Sequence, residues 1–140
     1  MIIAIDFDGT CVTHEFPRVG KDIGAVPVLK DLVDKGHQLI LFTMRSDISN
    51  PNGENKEILM QSGDYLTDAI NWFKENNIPL YGIQTNPTQL SWTTSPKAYA
   101  QMYIDDAALG CPLIYDVLYA ERPFVDWSNV KNILKEKEII

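Results

Sequence analysis

Two aspartates lie two residues apart near the start of the chain, directly after an apolar segment. Residues 2–5 are apolar, and residues 6–10 read DFDGT. In this arrangement Asp6 can present its carboxylate to an electrophile, while Asp8 can protonate a leaving oxygen and later deprotonate water. Gly9 has no Cβ, so backbone amides beside it can approach a phosphoryl group closely. The alternative, an ordinary Asp-Gly turn, leaves an acid at the end of an apolar strand unexplained.

Two further apolar segments end in polar residues that could join this pair. Residues 39–42 precede Thr43, and residues 102–104 precede Asp105 and Asp106. In open α/β sheets, ligands bind at the carboxyl ends of the strands, so we expect these three strand ends to converge on one site. A single acid at a strand end is usually a turn residue, and the prediction therefore depends on all three ends together.

The remaining hydrophobic pattern predicts the elements that position these residues. Apolar residues recur at helical spacing over residues 28–33 and again over residues 65–73. Residues 80–83 can form a further strand, and a last helix is expected to start near Asp126 or Ser128. Alternating strands and helices predict an α/β fold with a doubly wound, Rossmann-like parallel sheet in three α/β/α layers.

At these positions the chain resembles the haloacid dehalogenase (HAD) superfamily, whose phosphatases open with a DxDGT motif. A DxDGT sequence alone would be only suggestive, but four motifs occur here in the family's order and reach from residue 6 to residue 106. Without the family, Lys97 would be interpreted as a solvated lysine and Thr43 as the cap of a turn. The matching residues are Asp6, Asp8, Gly9 and Thr10 for the first motif, Thr43 for the second, Lys97 for the third, and Asp105 with Asp106 for the last.

The resemblance implies a phosphohydrolase that forms an aspartyl phosphate. It implies Asp6 as the nucleophile and Asp8 as the acid and then the base. It also implies that Thr43 and Lys97 stabilise the transferred phosphoryl group. The implied phosphate-binding residues are Asp8, Gly9, Thr43, Met44 and Lys97.

The same resemblance implies Mg²⁺ as the cofactor. Its ligands would be the Asp6 carboxylate, the Asp8 backbone carbonyl and an acid of the last motif, since oxygen ligands suit this ion. For the last ligand we favour Asp106 as the direct contact, with Asp105 in support. The ion would screen the substrate phosphate from the approaching carboxylate.

Four residues near the first two motifs could line the site without belonging to the catalytic set. Thr10 and Arg45 are possible substrate contacts, and Arg45 could equally tie Asp105 into place, since arginine pairs readily with phosphate or carboxylate. Cys11 and His14 lie close enough to the first motif to line the pocket. No base partner is visible for a cysteine nucleophile.

The composition excludes several classes of function. The 140 residues, 45% of them apolar and 22% charged, fit one domain spanning 1–140, and no apolar run is long enough for a membrane span. The net charge of −7 argues against binding a nucleic-acid backbone but permits a small phosphorylated substrate as the partner. Two cysteines without metal-binding spacing make the cytoplasm the expected compartment. Oligomerisation stays open.

The motif spacing predicts that no large cap domain covers the site. Neither the stretch after Thr10 nor residues 84–97 has room for an inserted domain. Residues 46–62 contain the turn sequence NPNG at 50–53, so they can form a small flap over the site, although an ordinary solvent loop is an equal alternative.

Two other functions compete with phosphate hydrolysis. The first is another HAD reaction, either phosphoryl transfer or carbon–halogen cleavage. Asp8 favours phosphate chemistry over dehalogenation, because a halide leaves without a proton. The second is a non-catalytic module that binds metal or phosphate.

Overall fold

Short strands and three helices alternate along the chain. The computed structural model describes residues 1–49 and 61–140 of the protein. No helix within these two ranges is long and apolar enough to cross a membrane. The elements are, in order, β1 (Ile2–Ile5), α1 (Ala25–Asp34), β2 (Gln38–Leu41), β3 (Asp47–Ile48), β4 (Gly63–Asp64), α2 (Tyr65–Glu75), β5 (Gly82–Ile83), a 3₁₀ turn (Gln89–Ser91), β6 (Met102–Ile104), β7 (Leu113–Ile114), β8 (Phe124–Val125) and α3 (Trp127–Glu136).

Four parallel strands form the central sheet in the order β5-β2-β1-β6. Ile5 pairs with Leu41 on one side and with Ile104 on the other, so the carboxyl ends of three strands lie side by side. The chain moves outward from β1 through β2 to β5 and then returns to the other side of β1 as β6. The protein is therefore an α/β protein with a parallel sheet, compatible with a Rossmann-like fold, and its topological switch point lies between β1 and β6.

The strands at the centre of this sheet are buried on both faces. β1 and β2 contribute six core side chains, each at most 1% exposed, which explains why their sequences are continuous apolar runs without alternation. Those residues are Ile3, Ala4, Ile5, Leu39, Ile40 and Leu41.

Helix α1 returns the chain to the start of β2 and ends at a left-handed glycine. Its buried residues recur at helical spacing, as predicted for this segment. Gly36 has φ +86° and donates its N–H to the Val33 carbonyl at 2.9 Å, and the His37 N–H reaches the Leu32 carbonyl at 3.1 Å. This pair of hydrogen bonds satisfies carbonyls that the end of a helix otherwise leaves free.

Helices α2 and α3 anchor the segments that carry the acids. The Phe7 ring, between the two motif aspartates, is fully buried and lies 5.7 Å from the Trp72 ring and 6.4 Å from the Phe73 ring of α2.

Of the two predicted starts for the last helix, Asp126 is the N-cap, since its carboxylate accepts the Asn129 N–H at 3.1 Å.

Two antiparallel pairs lie outside the central sheet. β7 pairs with β8, and β3 pairs with β4 through Asp47 opposite Asp64. The Asp47 carboxylate accepts the N–H and the hydroxyl of Thr67, which fixes β3 to the first turn of α2. The turn at residues 50–53, on which the flap prediction rests, lies outside the described residues.

Trp127, the first residue of α3, links that helix to the first motif. It is 2% exposed, and its Nε1–H donates to the Thr10 carbonyl at 2.6 Å. We expect Trp127→Phe to lower the free energy of unfolding by about 1–2 kcal/mol, because a buried carbonyl loses its donor while the ring remains. Urea unfolding measures the loss. Trp92→Phe, at a position 61% exposed, is the matched control and should change stability by less than about 0.5 kcal/mol; equal losses in the two variants would contradict the prediction.

Candidate active site

The switch point brings the first and last predicted motifs together. The Asp6 N–H donates to the Ile104 carbonyl at 3.0 Å, so Asp6 leaves β1 directly beside the start of the Asp105-Asp106 segment. Carboxylate oxygens of Asp6, Asp105 and Asp106 all lie within 4.8 Å of one another. The predicted convergence of the strand ends is therefore confirmed for these three acids.

The Thr10 hydroxyl joins Asp6 to Asp106. It donates to Asp6 Oδ2 at 2.8 Å and accepts the Asp106 N–H at 3.0 Å. Thr10 is fully buried, so its side chain cannot reach a substrate. The predicted substrate contact of Thr10 is therefore not supported by its position: this residue fixes the spacing between two acids.

Gly9 is required by close packing as well as by backbone conformation. Its φ is +82°, and a Cβ placed on it would lie 2.4 Å from Asp106 Oδ2. Its N–H donates to the Val12 carbonyl at 2.8 Å, and its carbonyl accepts the Val125 N–H at 2.9 Å. Gly9 was predicted to bind phosphate, but its amide is already used. Its role is to let the last motif approach the first.

Burial and mutual repulsion make the acidic cluster reluctant to ionise. Burial raises the pKa of Asp6 to about 7, and hydrogen bonds from Thr10 and the Phe7 backbone lower it only in part. The charges of Asp105 and Asp106 raise that pKa further. Burial also raises the pKa of Asp106, opposed by a hydrogen bond shared with Asp6. A proton or a bound cation would relieve this repulsion.

The donor set of the cluster fits Mg²⁺. All three side chains offer carboxylate oxygens, which this hard cation prefers, and they leave one side of the cluster facing an open cleft. The Asp8 carbonyl, two residues along, accepts no hydrogen bond from another described residue and could serve as the backbone ligand. The residues predicted for the metal are therefore compatible with it.

Asp8 is held by an arginine on both of its carboxylate oxygens. Arg45 Nε donates to Oδ2 and Nη2 donates to Oδ1, each at 2.8 Å, and the two side chains are 1% and 12% exposed. A bidentate pair at this depth fixes the position of the carboxylate. Asp8 still lines the cleft beside Asp6.

Arg45 has no donor left for a substrate. Besides the two bonds to Asp8, its guanidinium donates to the backbone carbonyls of Pro17, Arg18 and Tyr65 at 3.3, 2.8 and 3.1 Å. These contacts use all five N–H groups of the side chain. The structure places the Arg45 guanidinium on Asp8, and the residue is 3% exposed, so its position supports neither predicted role, contact with substrate or contact with Asp105.

Thr43 and Met44 form the wall opposite the acids. The Thr43 hydroxyl accepts the Arg45 N–H at 3.1 Å, which leaves its own proton free to donate. The N–H groups of Met44 and Asp8 donate to no other described residue, and both residues line the cleft. These groups are available donors on residues that line the same cleft as the carboxylates.

Gln84 holds this wall in place, and sequence reasoning missed it. Its side chain accepts the Thr43 N–H at 2.9 Å and donates to the carbonyls of Thr43 and Arg45 at 2.6 and 3.1 Å. Gln84 directly follows β5, so it is a fourth polar residue at a strand end. The same signal that selected Asp6 and Thr43 would have found it.

Lys97 is not brought into the cleft. Its Nζ lies 5.5 Å from the centroid of the Tyr103 ring, its side chain is exposed, and it does not line the carboxylate cleft. Among the described residues it makes no ion pair with an acid within 4.0 Å. The predicted catalytic and phosphate-binding roles of Lys97 are not supported by its position.

Besides Arg45, the basic side chains that line the cleft are His14 and Arg122. Arg122 Nη1 donates to His14 Nε2 at 3.0 Å, and the charge of Arg122 lowers the pKa of Asp106. The prediction that His14 lines the pocket is confirmed. Arg122 was missed because it lies between β7 and β8 with no motif around it, and only the fold brings it here.

Neither cysteine takes part in the site. Cys11 was predicted to line the pocket, but it is fully buried with its Sγ on the Asp6 carbonyl at 3.3 Å. Burial holds its pKa well above the usual range. Cys111 lines a different cavity beside α3.

The carboxylate cleft has a volume of about 360 Å³ and is open to solvent. A larger cavity of about 600 Å³ lies between α2 and β5, but its lining is mainly apolar and contains no acid. The smaller cleft is therefore the candidate active site, because it contains the carboxylates. It is lined by Asp6, Asp8, His14, Phe16, Thr43, Met44, Arg45, Asp105, Asp106, Ala107 and Arg122.

The fold and the site together define an α/β protein with an acidic cleft at its switch point, where three carboxylates could bind a cation. No protein-family model and no curated protein matches the chain. A solved structure of a conserved protein from Bacteroides thetaiotaomicron is similar, with 32% identity, a TM-score of 0.70, and coverage of 98% of this chain and 91% of that one. The chain belongs to the same family as that protein. The name of that protein states no activity, so the similarity establishes the fold and the family and does not assign a function.

Two neutralising substitutions should change the stability of the metal-free protein in opposite directions. Asp6 has a raised pKa in the folded state, so the stability it contributes is present at low pH and is lost as the pH rises through about 7. At pH 8 with chelator, Asp6→Asn should therefore stabilise the fold by about 2 kcal/mol. At pH 5 the folded wild-type carboxyl is protonated but the unfolded one is still largely ionised, so the gain should be less than half as large, and it should vanish only below the ordinary pKa of 3.8.

Asp8→Asn should instead destabilise the fold by about 3 kcal/mol, since it leaves a buried guanidinium without its anion. Thermal unfolding of both variants at the two pH values measures this contrast. A loss of stability in Asp6→Asn at pH 8 would mean that the cluster is not strained by its charges.

Proposed function

We propose that the protein is a magnesium-dependent phosphohydrolase of the HAD type, acting on a phosphate monoester through an aspartyl phosphate on Asp6. One observation carries the proposal: the Asp6 carboxyl opens into a cleft between two further acids and a wall of free donors. The cluster alone would support only metal binding. The available donors of Asp8, Thr43 and Met44 add a binding site for a phosphoryl group.

The phosphoryl oxygens would be bound by backbone groups and a hydroxyl. The N–H groups of Asp8 and Met44 and the hydroxyl of Thr43 are the available donors. Donors of this kind stabilise charge that develops in the transition state without having to reorganise. Gln84, by fixing Thr43, would maintain their direction.

The reaction would proceed in two displacements. An Asp6 carboxylate oxygen attacks phosphorus, and the bond to the leaving oxygen breaks as that oxygen takes a proton from Asp8. Water then attacks the phosphorus of the aspartyl phosphate, Asp8 takes its proton, and the Asp6–phosphorus bond breaks to release phosphate. Mg²⁺, held by Asp6, Asp106, the Asp8 carbonyl and Asp105 in support, would supply charge screening between phosphate and carboxylate.

The ion pair with Arg45 constrains what Asp8 can do. Each oxygen of the Asp8 carboxylate accepts a guanidinium N–H at 2.8 Å, so neither oxygen is free to turn toward the leaving group in the first step. The enzyme should therefore act best on esters whose leaving group departs without a proton, such as aryl phosphates. Alkyl phosphates should be poorer substrates.

The finer architecture belongs to the same proposal. We propose three α/β/α layers, one domain over residues 1–140 and no large cap, consistent with the short segments that follow Thr10 and β5. From composition and cysteine content, we propose the cytoplasm as the compartment. An open site of this kind leaves substrate choice to the loops around it.

A non-catalytic module that binds metal or phosphate is the second candidate. Two observations favour it over other HAD reactions: Lys97 lies outside the cleft, and Asp8 is committed to Arg45. Both remove features that the family mechanism uses. A metal site with anion-binding donors would survive their loss.

We expect the wild-type protein to release phosphate from an aryl phosphate when Mg²⁺ is present. Asp6→Asn should abolish turnover by at least about 10³-fold, because no other group can form the covalent intermediate. Asp34→Asn, an exposed acid at the end of α1, is the control and should be fully active. Activity that survives in Asp6→Asn would refute the nucleophile, and no activity with any divalent ion would favour the non-catalytic module.

Asp8→Asn should slow both steps by about 10²-fold or more, with the larger loss on alkyl phosphates. Because the second step also needs a base, phosphorylated enzyme should accumulate. Mass spectrometry of protein quenched during turnover, below the lowered unfolding temperature of this variant, should find phosphate on the peptide that contains Asp6. Label on another peptide would show that the assigned roles are wrong.

Calorimetric titration with Mg²⁺ tests the ligand set separately. Asp106→Ala should weaken binding about tenfold or more, since it removes an anionic ligand, whereas Lys97→Ala should change the affinity by less than about twofold. If Asp106→Ala binds as tightly as the wild type, Asp105 becomes the candidate ligand.

A further inference from the structure

A second cleft opens beside the carboxylate cleft. Its volume is about 380 Å³, and three of its lining residues, His14, Phe16 and Arg122, also line the first. The two clefts therefore meet along these side chains. A molecule with its phosphoryl group against Asp6 could extend past them into the second cleft.

Basic side chains are concentrated in this second cleft. The chain has only 12 lysines and arginines and two histidines, with a net charge of −7. Three of those cations, Arg18, Lys21 and Arg122, line the cleft together with His14. Such a concentration in an acidic protein creates a local positive potential that attracts anions.

The acids of the same cleft do not cancel this charge. The lining contains two glutamates, Glu15 and Glu121. The Glu15 carboxylate accepts the Thr13 hydroxyl at 2.5 Å and approaches Arg18 only to 3.9 Å. Arg18 and Lys21 also help to hold the pKa of Glu15 below its usual value, after the hydrogen bond from Thr13. The cations outnumber the carboxylates.

Arg122 is positioned to bind an anion where the clefts meet. Its Nη1 donates to His14 Nε2 at 3.0 Å, and a guanidinium can only donate, so the imidazole must accept there. In the described part of the chain, no carboxylate lies within 4.0 Å of the Arg122 guanidinium. Its remaining N–H groups are available to a ligand.

Phe16 supplies an apolar wall between the basic groups and the acids. Its ring is 5.4 Å from the Tyr65 ring and 5.1 Å from the Arg45 guanidinium carbon, which fixes its position. It remains 36% exposed toward both clefts. An organic group between two anionic ends could pack against this face.

We propose that the second cleft binds the leaving group of the substrate and selects phosphate monoesters whose leaving group carries a second anionic group. This inference rests on the proposed function, which places the phosphoryl group in the first cleft. Arg122 contacts the substrate between its two ends, while Arg18 and Lys21 bind the distal anion. A neutral leaving group of the same size binds less tightly.

The selectivity can be measured with matched substrates. With Mg²⁺ present, 4-carboxyphenyl phosphate should have a KM about tenfold lower than 4-carbamoylphenyl phosphate, which has the same shape without the charge. A 4-phosphonophenyl phosphate should share the preference, and added salt should reduce it.

Charge reversal at Arg18 separates the second cleft from the first. Arg18→Glu should reduce the ratio of the two KM values to about 1 or invert it, because this side chain is 81% exposed and lines only the second cleft. Arg18→Lys should largely retain the ratio. Lys35→Ala, at the opposite end of the sheet, is the control and should leave it unchanged. Retention of the full ratio in Arg18→Glu would overturn the proposal.

Binding without turnover keeps this inference distinct from the proposed function. Titration of the Mg²⁺-loaded protein with 4-carboxybenzylphosphonate and 4-carbamoylbenzylphosphonate should show the same preference. If the wild type binds both equally, the second cleft does not select anions, whatever the activity. If it prefers the carboxylate but hydrolyses no ester, the phosphohydrolase fails while the anion site stands.

Discussion

The protein keeps three carboxylates together, and burial and repulsion oppose the charge of two of them, Asp6 and Asp106. Asp6 cannot move away from the other acids, because β1 is paired on both sides. Ile5, the last residue of β1, lies between Leu41 and Ile104. Asp106 cannot withdraw either, since its N–H is bound to the buried Thr10 hydroxyl. The cluster is therefore a property of the sheet topology, and a proton or a cation must compensate it. Motif glycine and threonine act here as spacers for the acids.

A single guanidinium connects this cluster to the rest of the cleft. Arg45 joins the first motif to the loop at residues 17–18 and to the start of α2, and it leaves no donor unsatisfied. The cost of burying its charge is offset by the Asp8 carboxylate, so loss of either partner would leave a buried polar group unpaired. The same carboxylate is the proposed acid and base of the reaction, so its position serves both the fold and the proposed chemistry.

The sequence predicted the sheet and the acids for one physical reason: apolar runs that end in polar residues mark the carboxyl ends of buried strands. That logic located Asp6, Thr43 and the Asp105-Asp106 pair, and it would have extended to Gln84. It failed for side chains whose partners come from elsewhere in the chain. Arg45 and Thr10 face inward because of contacts that no spacing encodes, and Arg122 reaches the cleft only through the β7–β8 pair.

Net charge and local charge have separate consequences in this molecule. A surplus of acids favours the approach of a cation to the carboxylate cluster and opposes the approach of a free anion at long range. Within a Debye length of about 8 Å in physiological salt, the potential at the second cleft is set mainly by its own side chains, in which Arg18, Lys21 and Arg122 outnumber Glu15 and Glu121. Discrimination between anions therefore depends on short-range contacts at the junction of the two clefts. The proposed selectivity would then come from the loop that carries Arg18 and the loop that carries Arg122.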